Sequence, residues 1–428
     1  MADKSANVDL DKKVTIVSAD AHIGPRVKED LAQYCEKKYL DDFKDFCTWL
    51  DSKESGVGGI DALDATKGHY DVHARLRDLD DDGTAAEVIF HGSQNGQPIP
   101  WNVSDPSIGP MTISRVYDVE AELAGQGRKM YNRWLADFVK TEPERHVGLA
   151  QLPIWDLDEA IKEATWCREN GLRGVNFPAE SGPEPQARSR WGGIYYHHDP
   201  KWDPFWAAMQ DLDMPMASHG GFGPMTDAAI PSSFGIWVYE TLPYGRKALP
   251  RMILGGVFEK FPKLKLVYTE HMGNWWTPLC KDMDSLCYMS GLPKLPSEYM
   301  KQNVFIGASF QARFEIEDAI EYDYWQNCYW GNDYPHVEGT WNPGQTTEQV
   351  LESHLSLRYT YHDLDPVIVD GVLGRNGCEL WGLDYNYLSN LAQDINAPTY
   401  KQVLTAPKPE EIPAEHGMWS FRTTGAFG

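Results

Sequence analysis

Five polar residues stand where short β-rich runs end: Asp20, His22, His219, His271 and Asp333. Two carboxylates and three imidazoles gathered at one point would suit a divalent metal. Zinc and related ions take nitrogen and oxygen donors from such side chains and keep one position open for water or substrate. An ion so held acidifies water or polarises a substrate oxygen. Asp20 and His22 are two apart, so on a strand both aim the same way. Taken singly these residues say little, because a D-x-H triplet recurs by chance and a lone histidine is more often a hydrogen-bonded core or surface residue than a ligand. The weight lies in four independent pieces: Asp20-Ala21-His22, His219, Glu270-His271 and Asp333.

The elements that must position them recur along the chain. β-rich runs occupy 15–22 (TIVSADAH), 85–92, 146–153, 172–179, 215–221, 265–273, 303–310 and 328–336. Helical patterns fall between most of them, at 120–140, 156–170, 203–212, 244–261, 275–289 and 313–325, with a late one at 364–380. The first carries Leu123, Met130, Trp134, Leu135 and Phe138 at roughly helical spacing. Strands alternating with helices predict a parallel sheet with right-handed crossovers. Eight such units predict an α/β fold, a closed (β/α)8 TIM barrel over residues 1–383, in which the polar strand ends share the C-terminal mouth. No G-x-G-x-x-G or P-loop follows any strand, which weakens a nucleotide-binding reading.

Excess length is expected in insertions at about 23–84, 95–119, 181–202 and 222–244, and in a C-terminal arm over 384–428. Insertions after strands lie on the mouth, where substrates are bound. Trp191, Trp237 and Trp275 lie in or beside such loops and would line a pocket for a flat substrate. His91 ends the second strand and could touch that substrate. Arg26, just past His22, could receive a carboxylate through its fork, and a surface ion pair is an equal expectation.

Lys+Arg number 39 and Asp+Glu 63, a net charge of −24 over 428 residues. That excludes nucleic acid and an anionic membrane surface as partners, since both need a basic footprint. With 42% hydrophobic and 12% aromatic residues the chain can build a large core. The seven cysteines form no C-x-x-C pair and no even framework, so a reducing cytoplasm is expected. The first 13 residues are polar, so no signal peptide is expected, and no apolar run reaches the roughly 20 residues of a membrane span.

The motifs VSADAH, RLRDLDDDG, LRGVNFP, PMASHGG, GGVFEKFPKLKLVYTEHMGNW, GNDYPH and VLGRNGCELWGLD span residues 15 to about 385. Together they resemble the metal-dependent amidohydrolase superfamily. The likeness is to its amidohydrolase-related family, which contains aminocarboxymuconate-semialdehyde decarboxylase and gamma-resorcylate decarboxylase. The resemblance implies one divalent metal ion, zinc or manganese, held by Asp20, His22, His219 and Asp333. Binuclear relatives carry a bridging lysine at the end of the fourth strand, where this chain reads Val175-Asn176-Phe177. It also implies that Asp333 or His271 moves the proton. Glu270 and His336 would support the ligands without touching the ion, although strand alternation would send Glu270 away from His271.

The activity so implied is non-oxidative decarboxylation of a small anionic substrate, an aromatic or unsaturated carboxylic acid, by a homodimer or higher homo-oligomer. Hydrolysis of a C–N, C–O or C–C bond by metal-activated water uses the same residues and is the alternative. A barrel without catalysis is a third reading, which the intact ligand set disfavours.

Overall fold

The structure is a computed structural model and describes residues 8–51, 66–101, 120–177, 195–220, 232–341, 352–412 and 421–422, with two short paired segments near 190. Eight parallel strands follow one another around a barrel in chain order. They are β1 (Val17–Ile23), β2 (Ala86–His91), β3 (His146–Ala150), β4 (Gly174–Asn176), β5 (Met216–His219), β6 (Leu266–Thr269), β7 (Val304–Ser309) and β8 (Cys328–Gly331). Each lies inside one of the eight runs expected from sequence, β1 extending one residue further. Closure comes just past β8, where Asp333 N donates to Asp20 O at 3.1 Å and His22 N donates to Tyr334 O at 2.6 Å. The closing contacts thus tie together the two segments that carry Asp20, His22 and Asp333.

Alternation along the strands separates two cores. Val17, Ala19, Ala86, Val88, Val147, Leu149, Ala217 and Val267 form one buried cluster inside the barrel. Their neighbours Ile16, Ile89, Ala150, Met216, Leu266 and Tyr268 pack outward against the helices. A sheet buried on both faces reads as a continuous apolar run, and β1 and β2 are buried along their whole length.

The helices start and stop on local chemistry. Asp156 caps Leu157–Glu169 by accepting from Glu159 N at 3.1 Å. Asp71 caps Val72–Asp82 by accepting from His73 N and Ala74 N, and Gly83 ends that helix at φ +83°. The expected helix over 244–261 is instead three: Ser233–Gly245, Ala248–Leu254 and Val257–Lys260. The reason is local, since the breaks fall after Gly245 and at Gly255 and Gly256, and Gly256 sits at φ +75°. Part of the insertion expected at 222–244 is therefore helical.

Beyond the barrel, Tyr385–Asp394 and Tyr400–Val403 are helical. Leu388, Ala392, Ile395 and Ala397 join the inner cluster, so this segment seals the N-terminal end of the barrel. Val14 N donates to Pro398 O at 2.8 Å and Tyr400 N to Lys12 O at 2.9 Å, fixing the segment before β1 to the segment around residue 399. No helix among the described residues is long and apolar enough to cross a membrane. All seven cysteines are free thiols.

Candidate metal centre

Asp20 sits at an irregularity in β1. Its neighbours Ser18 and Ala21 pair with Glu87 and Ile89 of β2, three residues against two. Such a bulge re-aims side chains and is frequent beside active sites. Asp20 is fully buried, and its Oδ1 lies 3.2 Å from both His22 Nε2 and His219 Nε2. Its Oδ2 accepts from Ser309 Oγ at 2.5 Å. His22 Nε2 is also 3.1 Å from Asp333 Oδ1. Donor atoms of Asp20, His22, His219 and Asp333 all fall within 4.8 Å of one another.

Both nitrogens of His22 and both carboxylate oxygens of Asp333 are buried without a hydrogen-bond partner. Their atoms are close but badly angled for each other. Orphaned buried polar atoms cost free energy unless something else binds them. Two carboxylates and two imidazoles so clustered fit a divalent cation with nitrogen and oxygen ligands.

The surrounding groups orient these donors. His219 Nδ1 lies 3.0 Å from Gly220 O and 3.2 Å from Glu270 Oε2, which leaves Nε2 facing Asp20. His336 stacks on His22 with ring centroids 3.8 Å apart. Its Nε2 lies 2.8 Å from Gly92 O and its Nδ1 3.1 Å from Asp333 Oδ1. Outer partners of this kind fix which ring nitrogen faces an ion.

Charge within the cluster follows from those contacts. Burial opposes ionisation of Asp20, but His219 and His22 outweigh it and hold the carboxyl well below its ordinary range. Burial likewise opposes a charged His219, yet Asp20 and Glu270 lift it to about 10. His336 also rises to about 10 against burial, chiefly through Asp333. Glu270 is pushed well above the usual carboxyl range by burial and by repulsion from Asp333 and Asp20. His271 is driven well below the ordinary imidazole value by burial and then by the nearby Arg246.

The strand-alternation expectation for Glu270 fails. β6 ends at Thr269, and Glu270 adopts φ +59°. The left-handed residue breaks the two-residue period, so Glu270 reaches His219 although His271 also lies at the site. Trp275 is buried, and its Nε1 donates to His271 O at 2.8 Å. Trp237 is buried on Ser233–Gly245. His91 is buried, its ring edge-on to Tyr131 at 5.2 Å, and burial followed by the neighbouring His22 lowers it to about 3. Trp191 lies outside the described residues. Arg26 spends its fork on Asp30, donating from Nε at 3.0 Å and Nη2 at 2.7 Å, and stacks on Tyr70. The ion-pair expectation thus describes Arg26 here.

A model of the amidohydrolase family matches residues 70–383, well over half of the chain. The chain belongs to the amidohydrolase family. This amidohydrolase is 27% identical over 208 residues to a gamma-resorcylate decarboxylase of Polaromonas sp. (strain JS666 / ATCC BAA-500). That match covers 46% of the chain and 62% of the relative, so it spans less than two thirds of the relative's length. It is 22% identical over 311 residues to a 2-amino-3-carboxymuconate-6-semialdehyde decarboxylase of Dictyostelium discoideum, covering 67% of the chain and 79% of the relative. Among solved structures it superposes on a dihydroxybenzoic acid decarboxylase of Polaromonas sp. JS666, which holds manganese and the inhibitor 2-nitroresorcinol. The TM-score is 0.55 at 17% identity, over 86% of this chain and 97% of the other. That likeness carries the fold.

Sequence reading passed over Ser309, which binds Asp20 from the end of β7. The same rule that selects Asp20 and Asp333, a polar residue ending a strand at the mouth, would have found it. It also passed over Asn332. Asn332 Oδ1 accepts from Ser18 Oγ at 2.8 Å, and its Nδ2 donates to Asp82 Oδ2 at 3.0 Å, bracing the segment before Asp333.

Metal analysis of the purified protein is expected to give one divalent ion per chain. Asp20→Ala and His219→Ala should each lose it with an unchanged circular-dichroism spectrum. Removing the carboxylate behind His219, in Glu270→Ala, should weaken metal affinity roughly 10- to 100-fold, read by competition with a chromophoric chelator.

Proposed function

We propose that this amidohydrolase is a metal-dependent, non-oxidative decarboxylase of an aromatic or unsaturated carboxylic acid, working in a reducing cytoplasm. The observation that carries the reading is the convergence of Asp20, His22, His219 and Asp333 on one buried point, with His271 beside it, in a family member whose relatives are named decarboxylases. A zinc or manganese ion bound there supplies positive charge for a substrate carboxylate and an adjacent oxygen.

The residues divide the remaining work. Loss of carbon dioxide breaks a C–C bond and leaves the electron pair on the substrate carbon, which must then take a proton. Asp333 is our choice of donor. Its Oδ1 faces His22 and His336, which leaves Oδ2 to carry that proton. His271, kept neutral by burial, can donate one hydrogen bond to a substrate oxygen without adding charge. Trp275 fixes the backbone of His271 and with Trp237 contributes flat apolar surface.

The test is carbon dioxide release from a panel of hydroxybenzoates by zinc- or manganese-loaded protein. Release that stops on chelation and returns with metal supports the reading. Turnover of an ester or amide, with oxygen-18 from solvent entering the product and no carbon dioxide from any acid, would replace it with the hydrolase.

A further inference from the structure

Past β8 a second set of donors converges on Asp333. His336 Nδ1 lies 3.1 Å from Asp333 Oδ1 and 3.8 Å from Glu338 Oε1. One donor atom from each of Asp333, His336 and Glu338 falls within 4.8 Å of the others. The tautomer of His336 is set from behind. Its Nε2 lies 2.8 Å from Gly92 O, a carbonyl that can only accept, so Nε2 carries the hydrogen and Nδ1 turns its lone pair toward two carboxylates. Something positive must stand between them. A proton on Nδ1 fits poorly, because a hydrogen bond has a direction. Asp333 is fully buried and both its oxygens, Oδ1 included, lack a hydrogen-bond partner, while Glu338 Oε1 is beyond hydrogen-bond reach. A cation needs no such line. Donor atoms held at about 2.0–2.2 Å by one ion stand about 3 Å apart when adjacent and about 4 Å when opposite, which brackets the spacings here. Glu338 is itself held in place. Gln94 Nε2 donates to both its oxygens at 3.0 Å, from the loop after β2 where Gln94 adopts φ +59°. A partner behind a carboxylate is what orients a metal ligand.

We propose that Asp333, His336 and Glu338 form a second divalent-cation site, with Asp333 Oδ1 shared between it and the ion of Asp20, His22 and His219. Oδ1 is 3.1 Å from His22 Nε2 as well as from His336 Nδ1, so one oxygen faces both positions. A shared ligand puts two ions about 3.5–4 Å apart, the spacing at which a pair clamps two oxygens of one substrate. One imidazole with two carboxylates suits manganese or magnesium. The Glu338 side chain is 24% exposed, so this site exchanges its ion with solvent more readily than the buried one. Purified protein should therefore keep the first ion and take up the second when metal is added. The entering ion displaces the proton that Asp333 and Glu338 otherwise favour on His336. The inference rests on the placement of the first ion and not on the reaction.

The experiment is manganese titration of the chelator-stripped full-length protein, followed by the electron paramagnetic resonance signal of the free ion. Wild type should bind two ions per chain in two affinity classes. The signal of the bound ions should broaden as the second enters, because the pair is close. Glu338→Gln should retain the first class and weaken the second on the order of 100-fold or more, since losing an outer partner alone costs roughly 10- to 100-fold. Gln94→Ala, which only frees Glu338, should weaken the second class within that lower range. Asp20→Ala should lose the first class and keep the second. Saturation of wild type at one ion overturns the site even if no variant folds, and so does a second class that Glu338→Gln leaves unchanged. An ion lost in Glu338→Gln with none lost in Asp20→Ala would support this site and sink the first.

Discussion

Asp333→Asn is expected to lower kcat for decarboxylation by roughly 10²- to 10⁴-fold, the usual share of a positioned proton donor. The amide keeps the shape of the carboxyl and cannot give up the proton that the departing carbon dioxide makes necessary. His271→Asn should behave differently. Its neutral imidazole binds a substrate oxygen in the proposed division of work, so its loss should raise KM as well as lower kcat. The two variants are read together in steady-state kinetics, with metal content measured on the same samples because Asp333 is also placed among the ligands. An Asp333→Asn protein that retains metal and wild-type kcat would move the proton to another group. Proton inventory adds a second readout: in deuterium oxide the product should carry deuterium at the carbon that lost carbon dioxide.

The second large effect concerns stability. Glu87→Gln is expected to destabilise the fold by about 3–5 kcal/mol, the cost of leaving one partner of a buried ion pair uncompensated. Glu87, Arg75 and His146 are fully buried in the barrel wall. Arg75 donates from Nε to Glu87 Oε1 at 2.5 Å and from Nη2 to Oε2 at 2.8 Å, and His146 Nδ1 lies 3.0 Å from Oε1. Arg75 Nη1 donates to the carbonyls of His22 and Gly68 at 2.7 and 3.1 Å. The same guanidinium packs 4.6 Å from the Tyr334 ring centroid. The pair therefore braces both segments that close the barrel, and its loss should also loosen His22.

The pH dependence has a definite sign. Burial opposes ionisation of Glu87, but Arg75 and His146 outweigh it and draw the carboxyl down to about 2, against an unfolded value of about 4.3. The unfolded chain binds more protons between those values, so this contribution is complete above the unfolded pKa. It is lost as pH falls through the window toward 2. Urea midpoints from pH 6 to pH 3 should fall steeply in wild type and less steeply in Glu87→Gln. Parallel slopes in the two proteins would remove Glu87 from the account.

The positions of the eight strands, and the polar residues that end them, were legible in the chain itself. Burial on both faces makes each strand a short β-branched or apolar run, and a barrel mouth puts the polar residue where that run stops. Those are local patterns, and Asp20, His22, His219 and Asp333 can be picked from them. What depended on contacts across the sequence could not be. Alternation sends Glu270 away from the site, and only its left-handed backbone brings it to His219. Arg26 looks free until Asp30 is seen in its fork. Glu87 and Arg75 read as ordinary charges near a helix end and a strand. Their worth appears once β2, β3 and the helix before β2 bury them against His146 and the His22 carbonyl. Spacing along a chain fixes which way neighbouring side chains point. Dielectric, counter-charge and hydrogen-bond partner are properties of the place where distant segments meet, and they decided what each charged residue here can do.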